Sequence, residues 1–404
     1  MNKIYKICAL VIIIGLLFIP GGVASANEAP STEYFSDDLL CNISPVFETG
    51  TVLDIKAESV LLMEPYTGKI LYEKNSEQRL APASITKVMT LLLVMEAIEN
   101  EQIGLNTQVV TSEHAASMGG SQIWLEVGET MTVDEMLRAA VIASANDATV
   151  ALAELVAGSE ENFVALMNKR AKELGMNNTN FVNACGLDAD EHLTTAKDVA
   201  VMSSALIKHD LIKKYSTVWM DALRDGKSEL VNTNKLIRYY NGATGLKTGT
   251  TSKAGCSIVA TAKRNNMELV AVVMKGENSN ARFAGAKKLL DFGFAAFEFA
   301  ELSFDEEKIG EIKCSKGMEE QVVPQAAQTV NLLLKKGEKE KIKTEVKINE
   351  DIFAPVKKGD KIGVVSFSLN GKTVGEIPVT AAKDVEKIGF FNSLVMLLRY
   401  AFIP

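Results

Sequence analysis

The feature that most constrains the fold is a run of residues that is apolar on nearly every helical face. This run, ITKVMTLLLVMEAIE, spans residues 85–99 and follows Pro82, a residue favoured in the first turn of a helix. In a soluble domain, a helix that is apolar all round must be covered by other elements on every side. We therefore predict that this helix lies in the core of a domain, with Ser84 at its N-terminal end.

Length and composition indicate a folded protein with more than one domain. The chain has 404 residues, of which 47% are hydrophobic and 23% are charged, as is typical of globular proteins. Typical domain sizes predict roughly two to three units in a chain of this length. The net charge is −8, so we do not expect the clustered basic surface that nucleic-acid binding requires.

The N-terminus has the pattern of a secretory signal peptide. Two lysines precede an apolar run over residues 7–19, and small residues follow it at positions 24–26. Cleavage after this point gives a signal peptide over residues 1–26 and a polar leader over residues 27–50. An uncleaved anchor helix is the alternative, but the apolar run is shorter than the roughly twenty residues of a membrane span. We therefore expect export to the outer face of the cytoplasmic membrane or to the cell wall.

Cysteine spacing gives no disulfide framework and no metal site. Four cysteines remain once the signal peptide is removed, and four can pair in three ways that the sequence does not distinguish. Their spacing matches no zinc pattern, so free buried thiols are an equally good interpretation. The four residues are Cys41, Cys185, Cys256 and Cys314.

Patterns of strands and helices alternate through the main domain, which we predict over residues 51–298. Residues 59–75 read as a hairpin, and three β-rich segments from residue 242 read as an antiparallel meander. An alanine-rich helical stretch over residues 131–158 is interrupted at Ser144-Ala145-Asn146, where Asn146 or Asp147 is expected to cap the second helix. A helix over residues 281–292 follows the meander.

The composition then changes to lysine and glutamate alternating with branched apolar residues. This pattern predicts a small β-rich domain over residues 299–380, and Asn370-Gly371 between two alternating runs is a strong hairpin signal. Residues 381–404 follow as an amphipathic segment, which we interpret as an in-plane membrane anchor; a core helix is the alternative. Its apolar face is predicted to consist of Phe391, Leu394, Val395, Leu398 and Phe402.

Ser84 and Lys87 form the first candidate for chemistry. Residues three apart share a helix face, so the two side chains can touch. A serine hydroxyl needs a base to take its proton, and a buried lysine can be neutral enough to act as that base. The alternative is an ordinary helix start with a solvated lysine, but no other serine in the chain has a lysine three residues later.

Two further short motifs support a catalytic role when they are considered together with this pair. Ser144 and Asn146 lie between two predicted helices, and Lys247-Thr248-Gly249 lies on a predicted strand. Taken separately, these motifs read as a helix cap and as an edge strand with a solubilising lysine. Together, S-x-x-K, a Ser-x-Asn element and K-T-G form the motif set of serine β-lactamases and penicillin-binding proteins.

From about Thr51 to its C-terminus, the chain resembles the low-molecular-mass penicillin-binding proteins that are serine-type D-alanyl-D-alanine carboxypeptidases. The resemblance includes GGSQIWLEVGETMTVDEML and ELGMNNTNFVNACGLDADEHLTTAKDVA besides the three motifs. It implies an α/β (α+β) fold like that of serine β-lactamases and penicillin-binding proteins, with an antiparallel sheet and helices. A small all-β domain and a C-terminal amphipathic helix would follow. It also implies cell-wall remodelling, no cofactor and covalent inhibition by β-lactams.

The resemblance also implies a role for each matching residue. Ser84 would attack the carbonyl between the last two D-alanines of a peptidoglycan stem peptide, and neutral Lys87 would accept its proton. Ser144 would pass a proton to the leaving D-alanine. The remaining residues would bind substrate. Asn146 would hold the hydrogen-bonding network of Lys87 and Ser144 in place, and Thr250 would supply a backbone N–H to the oxyanion hole. The substrate carboxylate would be bound by Lys247, Thr248 and Gly249, with assistance from Arg282.

Two alternatives remain for the function. A class A β-lactamase shares the motifs and adds a glutamate within a proline-rich loop. Glu173 and Asn177 match its Glu-x-x-x-Asn spacing but lack that loop, and a β-lactamase has neither the β domain nor the C-terminal tail. A wall-binding or penicillin-sensing module could keep the fold without activity, although the intact Ser84, Lys87, Ser144 and Lys247 disfavour it. The three histidines of the chain show no metal-ligand spacing.

Overall fold

The computed structural model describes residues 52–326, 329–390 and 392–395. The predicted signal peptide, the leader and Cys41 lie outside the described residues, as do Phe391 and residues 396–404 of the predicted C-terminal anchor, which include Leu398 and Phe402. Of the described cysteines, Cys185, Cys256 and Cys314 are free thiols, and the first and last of these are buried.

A five-stranded antiparallel sheet forms the centre of the main domain, with strand order β2-β1-β9-β8-β7. The predicted hairpin supplies its first two strands and the predicted meander its last three, so both predictions are confirmed. The strands are β1 (Ala57–Glu64), β2 (Lys69–Lys74), β7 (Ala243–Thr251), β8 (Gly255–Arg264) and β9 (Met267–Gly276), and the short strands between them are β3 (Gln108–Val110), β4 (Thr130–Thr132), β5 (Met220–Leu223) and β6 (Ser228–Val231).

The sheet is buried on both faces because its strands alternate between two apolar cores. On β1, Leu61 and Met63 pack into the core beneath the helical layer, while Val60 and Leu62 pack into a second core on the opposite face. Side chains alternate across a strand with period two, so apolar residues at consecutive positions fill both cores.

The larger core lies between the sheet and the helices, and the predicted buried helix α1 (Lys87–Glu99) lies within it. A short 3-10 turn, Ala83–Thr86, precedes α1 and carries Ser84. The other helices are α2 (Glu113–Ala116), α3 (Val133–Arg138), α4 (Asn146–Ala157), α5 (Glu160–Glu173), α6 (Ala196–Ile207), α7 (Lys213–Ser216), α8 (Leu236–Tyr239) and α9 (Ser279–Ala296), the last of which covers the opposite face of the sheet.

The predicted break in the alanine-rich stretch is confirmed, but the expected cap is wrong. A π-helical turn over Ala139–Ala143 ends at Ser144, and α4 begins at Asn146. The N-cap position is Ala145, which has no capping side chain. Asn146 and Asp147 do not cap the helix, because the Asn146 side chain accepts from Lys87 and the Asp147 carboxylate accepts from backbone N–H groups of a distant loop.

A smaller β region follows α9. Its hairpin turns at Asn370-Gly371, where both residues have positive φ, as a type I′ turn requires, so this prediction is confirmed. Its strands are β10 (Phe297–Ser303), β11 (Ile312–Lys313), β12 (Gln321–Val322), β13 (Pro324–Gln325), β14 (Thr329–Lys335), β15 (Lys343–Ile348), β16 (Lys361–Leu369) and β17 (Lys372–Ala381).

The described part of the C-terminal segment consists of residues 381–390 and 392–395. Residues 392–395 are helical, and Leu394 and Val395 are 44% and 53% exposed. No helix among the described residues is both long and apolar enough to span a bilayer.

Candidate active site

Ser84 lies where the 3-10 turn meets the end of strand β7. The residue before it, Ala83, has φ +49°, a left-handed conformation that costs free energy for any residue with a Cβ. Gly249 on β7 approaches this turn so closely that a Cβ there would lie 2.9 Å from Pro82 O and 3.0 Å from Ser84 N. The glycine of the K-T-G motif therefore allows the strand and the serine to come together.

Lys87 is completely buried, and its amine lies within hydrogen-bond distance of three oxygen atoms. Its Nζ lies 3.0 Å from Ser84 Oγ, 2.6 Å from Asn146 Oδ1 and 2.7 Å from the carbonyl oxygen of Cys185. Amide and carbonyl oxygens only accept hydrogen bonds. In a neutral amine, these two oxygens take both N–H groups, and the nitrogen lone pair is left to face the Ser84 hydroxyl. This geometry allows the amine to accept a proton from the serine.

Burial brings the pKa of the Lys87 amine closer to neutral pH. Desolvation lowers the pKa of Lys87 to about 8, although the Cys185 thiol and the Asp147 carboxyl act in the opposite direction. Lys247, also fully buried, has a pKa lowered by burial first and then by repulsion from Lys87 and Arg282. Repulsion between the two amines is mutual, so neither favours the charged form of the other.

Asn146 links Lys87 to a loop beside the site. Its Oδ1 accepts from Lys87, and its Nδ2 donates to Gly119 O over 2.6 Å, so the orientation of the amide is fixed. Ser144 is buried with φ +63°. Among the described residues, no hydrogen bond joins the Ser144 hydroxyl to Ser84 or Lys87. The Ser-x-Asn element therefore contacts Lys87 through the Asn146 side chain.

Strand β7 carries the K-T-G residues and lies at the edge of the five-stranded sheet. Lys247 Nζ donates to Thr248 O over 3.1 Å, and the Thr248 hydroxyl donates to Thr233 Oγ1 over 2.8 Å. Arg282, from α9, donates through its Nη1 to Thr250 Oγ1 over 2.8 Å and to Gly249 O over 3.1 Å. A cationic, hydroxyl-lined site therefore lies beside Ser84, as carboxylate binding requires.

Some groups at the site could not be found from sequence motifs. The carbonyl of Cys185 is a backbone acceptor without a side-chain signal, although it lies within the stretch NACGLDAD, which is part of the resemblance to the family. A Cβ on the next residue, Gly186, would lie 1.9 Å from Ala83 O, so only glycine fits against the serine turn. Thr233 stands in no recognised motif and reaches the site because its segment runs beside β7.

His192 is a buried neutral support for the serine turn. Its Nδ1 accepts from Val182 N over 2.9 Å, which leaves Nε2 as the N–H that donates to Thr86 Oγ1 over 2.8 Å. Thr86 stands between Ser84 and Lys87 in the sequence. Burial lowers the pKa of His192 to about 4 from 6.5, because the charged ring would lose its hydration.

We expect His192 to make the protein acid-sensitive between pH 6.5 and pH 4. In this window the unfolded chain binds a proton at this residue and the folded chain does not. The free energy of unfolding should therefore fall by about 3 kcal/mol as the pH drops, with no further loss from this group below about pH 4. Urea unfolding of wild type and His192→Gln across this range tests the prediction. The variant should be less stable at pH 7 but should depend less on pH; equal slopes would contradict the assignment.

Two family models match the chain. The model described as D-alanyl-D-alanine carboxypeptidase matches residues 46–278, and that of the penicillin-binding protein 5 C-terminal domain matches residues 297–387. The chain is 45% identical to the D-alanyl-D-alanine carboxypeptidase DacF of Bacillus subtilis, covering 84% of this chain and 88% of the relative. It is 34% identical to the Escherichia coli carboxypeptidase DacC, covering 85% and 88%.

Solved structures agree with these matches. Penicillin-binding protein 5 of Haemophilus influenzae is similar with a TM-score of 0.74 and 32% identity, covering 83% of this chain and 99% of that one. Penicillin-binding protein D2 of Listeria monocytogenes, solved in a cefotaxime-bound form, is similar with a TM-score of 0.56 and 31% identity, covering 60% and 99%. The chain therefore belongs to the D-alanyl-D-alanine carboxypeptidase family of low-molecular-mass penicillin-binding proteins.

Proposed function

We propose that the protein removes the terminal D-alanine from peptidoglycan stem peptides through an acyl-enzyme on Ser84. Membership of the family makes the protein a serine-type hydrolase that acts on D-alanyl-D-alanine and binds penicillin. Beyond this membership, we assign the atoms that act as nucleophile, base and oxyanion donors. The observation that carries it is the set of three hydrogen bonds around Lys87 Nζ, which leaves the lone pair of the neutral amine facing Ser84 Oγ.

In the first step, Ser84 Oγ attacks the carbonyl carbon between the two D-alanines while neutral Lys87 takes the hydroxyl proton. The carbonyl oxygen becomes negatively charged and accepts from the backbone N–H groups of Ser84 and Thr250. Oxyanion donors of this kind are commonly worth about 3 kcal/mol each in the transition state. The contact of Gly249 with Pro82 and Ser84 supports this pairing, because it holds the strand that carries Thr250 against the serine turn.

In the second step, the peptide C–N bond breaks, and the proton that Lys87 took from Ser84 passes through Ser144 to the nitrogen of the leaving D-alanine, so Lys87 is neutral again. The substrate carboxylate binds Lys247, Thr248 and Arg282, while Asn146 holds Lys87 in place. The buried Lys247 amine and the contact of the Arg282 guanidinium with Thr250 support this assignment. Water then hydrolyses the ester and restores Ser84. A β-lactam acylates the same hydroxyl. The ester then hydrolyses slowly, because the amine released by ring opening remains bonded to the acyl group and does not diffuse away.

Ser84→Ala should abolish both D-alanine release and covalent penicillin labelling. The substitution removes the hydroxyl that forms the ester but leaves the partly buried turn in place. D-Alanine release from a diacetyl-Lys-D-Ala-D-Ala peptide and labelling by a fluorescent penicillin measure the two effects. Urea unfolding should show a change within about 1 kcal/mol, as a control for folding. Labelling that persisted in the variant would contradict the choice of nucleophile.

The rate of acylation should follow the neutral fraction of Lys87. Its pKa of about 8 predicts a rate that rises about tenfold for each pH unit below that value and levels off above it. Pseudo-first-order labelling by penicillin between about pH 6 and pH 9.5 measures the profile. Lys87→Arg, which stays charged throughout this range, should show no acylation at any pH. A flat wild-type profile would exclude Lys87 as the base.

Export and attachment to the outer face of the membrane form a second part of the proposal. The pattern of residues 1–26 supports export. For the C-terminal segment, the support is an apolar face that includes Leu394 and Val395, both about half exposed on the described part of the chain. An exposed apolar helix face is suited to lie in the interfacial plane of a bilayer.

Deletion of residues 389–404 should release the mature protein from vesicles. The deletion keeps the hydrogen bond from Ile388 N to Lys316 O and the bridge between Gly317 and Lys387, so the β region should remain folded. Flotation with vesicles of phosphatidylglycerol and phosphatidylcholine measures binding, and penicillin labelling checks that the site is intact. Unchanged flotation of the truncated protein would refute the anchor.

A further inference from the structure

The segment of residues 183–188 contacts both sides of the candidate site. At its first end, Asn183 Oδ1 accepts from Gly186 N over 2.7 Å and from Leu187 N over 3.0 Å, which closes the segment into a tight loop. Cys185 O accepts from Lys87, and Gly186 packs against the peptide that joins Ala83 to Ser84. One small loop therefore contacts the nucleophile and its base at the same time.

The other end of this segment holds the end of strand β7. Asp188 Oδ1 accepts from Thr251 Oγ1 over 2.7 Å, and Oδ2 lies 3.4 Å from both Ser252 Oγ and Lys253 N. Thr251 Oγ1 in turn accepts from Ala254 N over 3.0 Å, so this hydroxyl connects the carboxylate to the β7–β8 turn. The Asp188 carboxylate thus accepts hydrogen bonds from three donors of one turn.

Strand β7 needs such support because it lies at the edge of its sheet. The strand order places β8 beside it on one side, and Gly249 on this strand packs against the serine turn. The end of an edge strand next to a turn is a place where local opening is easy. Thr251 directly follows Thr250, so motion at this turn would move the backbone N–H that the proposed mechanism assigns to the oxyanion.

We propose that Asp188 is a positioning residue that sets the spacing between the two oxyanion donors, the N–H groups of Ser84 and Thr250. The inference rests on the proposed function, which assigns those donors. Gly186 fixes the segment against the Ser84 side, and Asp188 fixes the same segment against the Thr250 side. Geometric errors of about 1 Å at a reacting centre can cost about a hundredfold in rate, so looser spacing should slow acylation markedly.

The chain offers a matched control in the same loop. Asp190 is also a carboxylate and is 98% exposed at its side chain, and its described partner is the Lys253 amine, 3.0 Å away. Asp190→Ala removes the same charge two residues later without touching Thr251. A general effect of charge or of loop mobility would therefore appear in both Asp188→Ala and Asp190→Ala, whereas the positioning role predicts a loss in the first alone.

Acylation kinetics with a fluorescent penicillin test the role. Asp188→Ala and Thr251→Val should each lower the limiting acylation rate constant by about tenfold, with the dissociation constant of the non-covalent complex changed less than about twofold. The double variant should lose clearly less than the product of the two single losses, because both single variants break the same hydrogen bond between Asp188 and Thr251. Thr251→Ser, which keeps the hydroxyl, should retain most of the wild-type rate. Asp190→Ala should stay within about twofold.

The infrared carbonyl band of the acyl-enzyme gives a readout that general destabilisation would not move. Hydrogen bonds from the oxyanion donors lower the stretching frequency of the ester carbonyl, so Asp188→Ala should shift this band to higher frequency and Asp190→Ala should not. An unshifted band, or an additive loss of rate in the double variant, would overturn the positioning role alone. A wild-type protein that forms no ester on Ser84 would overturn the proposed function and this inference with it.

Discussion

The burial of Lys87 is the constraint on which the rest of the site depends. An isolated ammonium group is strongly disfavoured in a protein interior, so the site must either pair the charge or favour the neutral amine. The described groups that bond to this amine are uncharged: a hydroxyl, a side-chain amide and a peptide carbonyl. Neutral acceptors satisfy the N–H groups without fixing a positive charge. The amine can therefore titrate near neutral pH, where a base that also returns a proton is most effective.

This arrangement requires segments that are distant in sequence to meet with little free space. Asn146 and Cys185 lie 59 and 98 residues from Lys87 in the chain. Glycine makes the closest of these approaches possible, since a Cβ on Gly186 or Gly249 would collide with the serine turn. The left-handed backbone at Ala83 and Ser144 shows that packing also imposes local strain on this site. The sheet, buried on both faces, provides a framework rigid enough to hold that strain.

Local patterns predicted much of this fold, and they failed where the deciding contacts were not local. Helix α1, the hairpins and the meander follow from periodicity and turn residues, and the structure shows them all. The capping role expected for Asp147 is wrong, because its carboxylate accepts from the backbone N–H groups of Ile123 and Leu125 in a distant loop. The Cys185 carbonyl and the tautomer of His192 have no sequence signal either, since both depend on which backbone groups the folded chain brings near.

The smaller β region is tied to the catalytic part by a shared core. Phe297 and Leu333, from the paired strands β10 and β14, are buried in the same apolar cluster as Leu289 of α9. The rings of Phe297 and Phe292 pack edge to face with centroids 5.9 Å apart, and Lys336 N donates to Ala296 O. Since α9 also carries Arg282 to the candidate site, one helix connects the carboxylate-binding side of the cleft to the β region. A C-terminal segment held at a membrane would then set the position of the cleft through packed elements rather than through a flexible linker.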